Sequence, residues 1–168
     1  NSTFRNISAL NGGVISWESQ TKPINVSMTG SNFSNVTVTN TGGLILANYS
    51  QTSSDPVIFS IINCSFFLMK AYDGAIFYIA GTSRLFQVAL QSSSVSNVTV
   101  TNNGAILRLM DSASTASSST LRRGLQSETT GTFNISNSQF SNIVAQNGSI
   151  VYVNSTSNTI TISLAQNQ

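Results

Sequence analysis

The chain has no histidine, one cysteine, two prolines and little charge, with 7% charged residues against roughly a quarter in an average soluble domain. Without histidine there is no imidazole base, no Ser-His-Asp triad and no histidine metal ligand. A single thiol, Cys64, excludes thiolate metal clusters and a disulfide framework within the chain. The basic residues are scattered from Arg5 to Arg123 and the acidic ones from Glu18 to Glu128, so a net charge of +2 draws no stripe that would track a nucleic-acid backbone. The longest apolar run, 57–69, is interrupted by Ser60, Asn63, Cys64 and Ser65 and falls short of the roughly 18 residues of a membrane span. The chain opens on Asn1 rather than Met, as expected of a processed product or a fragment whose targeting signal has been removed.

What remains is 40% hydrophobic residues in a chain of 168, enough for one continuous core, and a surface dominated by Ser, Thr and Asn. The pattern repeats. Gly13-Val14-Ile15, Gly43-Leu44-Ile45, Gly74-Ala75-Ile76, Gly104-Ala105-Ile106 and Gly148-Ser149-Ile150 return at steps of 30, 31, 30 and 44. Before each glycine comes Phe4, Phe33, Phe66, Val95 or Phe140, and two places after four of these stands Asn6, Asn35, Asn97 or Asn142. A further segment precedes the second to fifth of these by seven residues, at Val26, Phe59, Val88 and Phe133. Three short alternating segments bounded by Asn-Gly, Gly-Gly or Asp-Gly turns are strand chemistry. A three-strand unit cannot bury its apolar edge alone, so the units are expected to stack as an all-β, right-handed parallel β-helix (solenoid) of about five rungs of three strands. A sandwich of antiparallel hairpins is the rival, but it leaves the return of equivalent residues unexplained.

The GGVI (12–15), GGLI (42–45), DGAI (73–76) and NGAI (103–106) segments, each preceded by the Phe- or Val-containing segment, resemble the right-handed β-helix repeats of cell-surface proteins. The likeness is to the chlamydial polymorphic outer-membrane proteins and similar surface proteins of ciliates and other protists. The chain departs from the bacterial pattern in having Phe-x-Asn where that family has Phe-x-x-Asn. The resemblance implies extracellular, surface or secreted architecture and carries no catalytic residue.

Parallel β-helices often cut polysaccharides, and such chemistry needs paired carboxylates or acid ligands for calcium. Glu18, Asp55, Asp73, Asp111 and Glu128 take different places in the repeat and no two stack, so no enzyme, metal site or cofactor is expected beyond covalent N-linked glycans. Sequons occur at Asn1, Asn6, Asn25, Asn32, Asn35, Asn48, Asn63, Asn97, Asn134, Asn147 and Asn154. Asn6, Asn35, Asn97 and Asn142 share one repeat position, and Asn142 is no sequon, so that position points to a structural, inward amide ladder that carries no sugar. Asn25 and Asn134 sit between apolar residues and should face solvent, while Asn48 and Asn154 fall in loops. These four, then Asn32, Asn63 and Asn147, are the candidate glycan carriers. The paired VTVT segments (36–39 and 98–101) put Thr on an outward face but lack continuous ranks, and strand propensity accounts for them.

The third segment is apolar in every phase. If Ala105, Leu107 and Leu109 face inward so that Arg108 reaches water, Ile106 is left outside, and with Ile15, Ile45, Ile76, Ile150, Tyr78 and Tyr152 it forms an exposed apolar stripe needing a cover. A lateral neighbour or the Ser/Thr-rich insertion 111–131 could supply it. Arg122 and Arg123 in that insertion fit a solvated loop, a processing site or a contact with anionic glycan. The reading is therefore a secreted, N-glycosylated structural protein, a subunit or segment of an extracellular fibre, partnered by itself head to tail. An adhesin-like or carbohydrate-binding module is the alternative and a polysaccharide-degrading relative the third.

Overall fold

Each repeat folds as three strands, and a computed structural model describes residues 1–19, 24–50, 57–82, 86–110, 130–154 and 159–166 of the chain. The first rung holds β1 (Thr3–Ala9), β2 (Ile15–Ser19) and β3 (Asn25–Thr29), and the second β4 (Asn32–Thr41), β5 (Ile45–Ser50) and β6 (Val57–Ile62). The third holds β7 (Ser65–Asp73), β8 (Phe77–Thr82) and β9 (Phe86–Gln91). The fourth holds β10 (Ser94–Asn103), β11 (Leu107–Met110) and β12 (Thr130–Ser136), and the fifth β13 (Gln139–Asn147), β14 (Val151–Asn154) and β15 (Thr159–Ala165). They line up as three five-stranded parallel sheets, β1-β4-β7-β10-β13, β2-β5-β8-β11-β14 and β3-β6-β9-β12-β15. This is a parallel β-solenoid, and no helix occurs among the described residues.

Three columns of left-handed backbone turn each rung. Gly30, Asn63, Ser92, Asn137 and Gln166 stand where a third-sheet strand ends, Asn6, Asn35, Leu68, Asn97 and Asn142 bend the first-sheet strands, and Gly12, Gly42, Gly74, Gly104 and Gly148 precede the second sheet. All have φ between 48° and 70°. Asn tolerates this conformation better than other side-chain-bearing residues, which is why it recurs after Phe. The rungs stay bonded around the bends, as where the Gly12 amide donates to the Gly42 carbonyl at 3.1 Å.

The interior is a filled column of side chains. Phe4, Phe33 and Phe66 stack with ring centroids 4.9 and 5.1 Å apart and planes 5° and 6° from parallel. In the third sheet the strict alternation of Val57, Phe59 and Ile61 inward with Ile58, Ser60 and Ile62 outward is the pattern of a strand with one buried face. Burying such side chains contributes about 1.5 to 3 kcal/mol each.

The apolar stripe is corrected twice. The left-handed glycine is the first of each Gly-Gly pair, Gly12 and Gly42, and the second is needed for a different reason, since a Cβ on Gly43 would collide with the backbone of Ala75. Ile15 and Ile45 consequently pair with Phe77, Leu107 and Val151, whereas Ile76, Ile106 and Ile150 belong one place earlier, in the column of Val14 and Leu44. Neither column is external. Leu44, Ile45, Ile76, Phe77, Ile106 and Leu107 are all completely buried in the chain's own core, and Ile15 and Ile150 are half-buried in the outer rungs. The corner after the glycine lets two successive residues face inward, so period-two alternation does not hold there. Trp17 likewise packs against the core.

The insertion is also shorter than expected, because Thr130 and Gly131 already belong to β12. Gly131 pairs with Phe86, and a Cβ there would collide with the Phe86 ring, which fixes the residue as glycine. Residues 111–129, including Arg122 and Arg123, lie outside the described residues.

Candidate functional site

The solenoid carries three ladders of polar side chains. The first ladder is the Asn column. Asn35 Nδ2 donates to Asn6 Oδ1 at 2.9 Å and Asn142 Nδ2 to Asn97 Oδ1 at 3.1 Å, and Leu68 takes the intervening place. Contrary to the inward placement, Asn6, Asn35 and Asn142 are exposed and Asn97 is half-exposed. A left-handed residue at a convex bend throws its side chain outward, so the ladder runs along the surface.

A second ladder occupies the place before the left-handed glycine. Thr41 Oγ1 donates to Asn11 Oδ1 at 2.8 Å, the Asn103 amide to Asp73 Oδ1 at 3.1 Å, and Asn147 Nδ2 to Asn103 Oδ1 at 2.8 Å. Asn147, a candidate glycan carrier, therefore already uses the nitrogen to which a sugar would be attached.

The third ladder was not read from sequence. Ser31, Cys64, Ser93 and Ser138 lie buried at the corner ahead of the Phe position. Ser31 Oγ accepts from the Ser2 amide at 3.2 Å, Ser93 Oγ from the Cys64 amide at 3.1 Å and Ser138 Oγ from the Ser93 amide at 3.3 Å. Each hydroxyl donates in turn to a carbonyl two residues back, and Cys64 Sγ makes the same contact with the Ile62 carbonyl at 3.4 Å. The lone cysteine is thus a thiol in a serine column. Thirty serines in the chain hid the three of this column, and the cue was the recurrence of a small polar residue two places before Phe4, Phe33, Phe66, Val95 and Phe140.

Beside the second ladder, Arg108 ion-pairs with Asp73, and its guanidinium lies between the Tyr78 and Tyr152 rings at 5.4 and 5.8 Å from their centroids. Both charged residues are buried, so Arg108 does not reach water as expected, and its Nε has no hydrogen-bond partner. Burial raises the Tyr78 hydroxyl pKa above the usual phenol value, with Arg108 lowering it and Asp73 raising it further. The other acid among the described residues, Glu18, stands on the outer face of β2 in the first rung.

The remaining glycan candidates, Asn25, Asn32, Asn48, Asn63, Asn134 and Asn154, are all exposed. Asn48 lies inside β5 and Asn154 ends β14, so these two are strand residues rather than loop residues. Asn63 occupies a left-handed corner and lines a shallow open notch of about 360 Å³ with Ser65, Ser92, Ser94, Asn137 and Gln139. On the outer face of the first sheet the third rung presents Phe67, Leu68 and Tyr72, each more than a third exposed, around the exposed Lys70.

Ile162 and Leu164 continue the columns of Phe133 and Ile135, which are fully buried, yet are 43% and 59% exposed. No family model, curated protein or solved structure matches the chain.

Proposed function

We propose that this chain is a non-enzymatic, secreted structural glycoprotein, a subunit or segment of an extracellular fibre built by end-to-end stacking of β-solenoids. The observation that carries the reading is the in-register parallel stacking of like rungs in all three sheets, an architecture in which each unit is stabilised by its neighbours along one axis. The resemblance to β-helix repeats of chlamydial and protist surface proteins supports the extracellular location. The scarcity of charge supports glycosylation, because covalent sugar supplies solubility that ionised side chains would otherwise provide.

Electron microscopy of the purified chain tests the reading. Fibres with an axial repeat near five strand spacings, about 24 Å, are expected. A monodisperse monomer at high concentration defeats it. Glycopeptide mass spectrometry is expected to find Asn134 and Asn25 occupied and Asn35, whose amide nitrogen donates within the ladder, bare.

The Phe67, Leu68 and Tyr72 patch around Lys70 favours a second reading, an adhesin-like or carbohydrate-binding surface module, because exposed aromatic side chains can pack against sugar rings. Polysaccharide binding lost in Phe67→Ala and Tyr72→Ala would support it, and no binding by the unsubstituted chain would remove it.

A further inference from the structure

We propose that Asn97 carries an N-linked glycan whose first sugar lies back over Phe67 and Leu68 of the neighbouring third rung. This rests on the reading of the chain as a secreted glycoprotein, and it names one attachment site and what the sugar there covers.

The site arises because the third rung departs from its neighbours on the outer face of the first sheet. In register, Phe67 lies between Ser34 and Ser96, and Lys70 between Thr37 and Thr99. Leu68 takes the place that Asn35 and Asn97 hold on either side. Ser, Asn and Thr positions thus become Phe, Leu and Lys in one inner rung, and Phe67 and Leu68 stand 47% and 37% exposed among hydroxyls and amides. Apolar side chains gathered on an otherwise polar face gain from a cover.

The Asn ladder aims one amide at that place. Both of its bonds run from Nδ2 of the later rung to Oδ1 of the earlier one, so the side chains turn Oδ1 forward and Nδ2 back. Asn97 Oδ1 accepts from Asn142 Nδ2 at 3.1 Å, which leaves Asn97 Nδ2 directed toward Leu68. Leucine offers no side-chain acceptor, and among the described residues none accepts a hydrogen bond from this nitrogen. Asn35, on the other side of Leu68, differs, because its Nδ2 donates to Asn6 Oδ1 at 2.9 Å and points away from the third rung. Asn97-Val98-Thr99 is a complete sequon, with Val98 buried, Asn97 half-exposed and Thr99 exposed. An inward ladder would exclude a sugar. A surface ladder in which Asn97 engages only its oxygen leaves the nitrogen for one.

The donor is a lipid-diphosphate-linked oligosaccharide. Its C1–O bond to the diphosphate breaks and a C1–Nδ2 bond to Asn97 forms. The amide loses one proton, the lipid diphosphate leaves with the electron pair of the broken bond, and Oδ1 keeps its lone pairs for Asn142. Adjacent strands lie about 4.8 Å apart, less than the width of a pyranose with its substituents, so the first sugar falls on Leu68 and on Phe67 beside it. The C–H face of a pyranose is suited to the electron-rich face of an aromatic ring.

The full chain, secreted from a eukaryotic host whose first attached sugar is N-acetylglucosamine, tests the site. Glycopeptide mass spectrometry should find Asn97 occupied. After endoglycosidase trimming to that first sugar, NMR should show its N-acetyl methyl signal shifted upfield by the Phe67 ring, with contacts to Phe67 and Leu68 protons. The signal is assigned by its loss in Thr99→Ala, which removes the sequon and leaves the Asn97 amide in place. Phe67→Ala should keep occupancy and abolish the upfield shift, while Tyr72→Ala, further along the strand, should keep both. The contacts are read in the unsubstituted chain, so a variant that fails to fold does not decide the matter. Asn97 bare while Asn25 or Asn134 is occupied overturns this site and leaves the glycoprotein reading standing, whereas a chain with no sequon occupied overturns both. An occupied Asn97 whose first sugar shows no contact with the third rung, or a shift that survives Phe67→Ala, overturns the placement over Phe67.

Discussion

Val26, Phe59, Val88, Phe133 and Ile162 form one column of the third sheet, yet Phe59, Val88 and Phe133 are sealed while Ile162 is 43% exposed. The inner rungs have neighbours on both sides and the outer ones on one. Chemistry along the column is nearly constant, so the difference comes from position alone. In a stacked architecture each rung's stability includes a term from its neighbours, and it is smaller for a rung that has one neighbour among the described residues than for a rung that has two. The same residue type should therefore matter differently inside and at the ends.

The largest test of that contrast is truncation within the column. Phe133→Ala should destabilise the unassembled chain by about 3 to 5 kcal/mol, through lost transfer energy and the cavity left behind. Ile162→Ala should cost about 1 kcal/mol or less, because much of its surface is already in water. Denaturant titration of both variants measures the gap, and equal losses would erase the distinction between inner and terminal rungs.

Next in size is the Asp73 and Arg108 pair, which ties the third rung to the fourth. Asp73→Asn leaves a buried guanidinium without its counter-charge and should cost about 3 kcal/mol. Replacing both, Asp73→Asn with Arg108→Met, should recover most of that loss, because an apolar side chain between the two tyrosines needs no counter-ion. A double variant as unstable as the single one would mean that the cation between the rings, rather than the pairing, is what stabilises this corner.

These two inner features were not equally legible in the sequence. The period, the three strands per rung and the parallel stacking followed from Phe-x-Asn and Asn-Gly recurring at fixed distances, and the structure has them. The register of the second sheet did not follow, because Gly12-Gly13 and Gly42-Gly43 offer two glycines and only backbone conformation says which one turns. That one-residue slip put Ile76 and Ile106 in the wrong column. The expectation of an outward Ile106 failed for a separate reason, that alternation presumes an unbroken strand while residues 104–106 form a corner. The Asn ladder was found but turned the wrong way, since spacing reveals a shared position and not its direction. Asp73 and Arg108 lie 35 residues apart with nothing local to join them, so their meeting could be seen only once the rungs were stacked.

A smaller effect separates the third rung from its neighbours. Leu68 holds the left-handed conformation, φ 56°, that Asn holds in the other four rungs, and it interrupts the ladder between Asn35 and Asn97. Leu68→Asn should relieve about 1 kcal/mol of backbone strain and let the amides bond without a gap. A rise in melting temperature checks it. A fall would show that the exposed leucine stabilises the Phe67 and Tyr72 patch by more than its strain costs.

The smallest contrast lies in the buried corner column, where a thiol and hydroxyls share one task. Cys64 Sγ contacts the Ile62 carbonyl at 3.4 Å, as Ser93 Oγ does the Gln91 carbonyl at 2.8 Å, so Cys64→Ser replaces a weak donor by the stronger one its neighbours already use. The volume lost is small, and the change should stay within about 0.5 kcal/mol of neutral. Ser93→Ala acts on the same ladder from the accepting side. It removes the oxygen that the Cys64 amide bonds to at 3.1 Å and strands that buried donor, which should cost about 1 to 3 kcal/mol. Measuring the two variants side by side separates side-chain chemistry from backbone satisfaction. If Cys64→Ser proves as damaging as Ser93→Ala, the column is held by the packing of the sulfur, and the hydroxyl ladder is incidental to the stability of the corner.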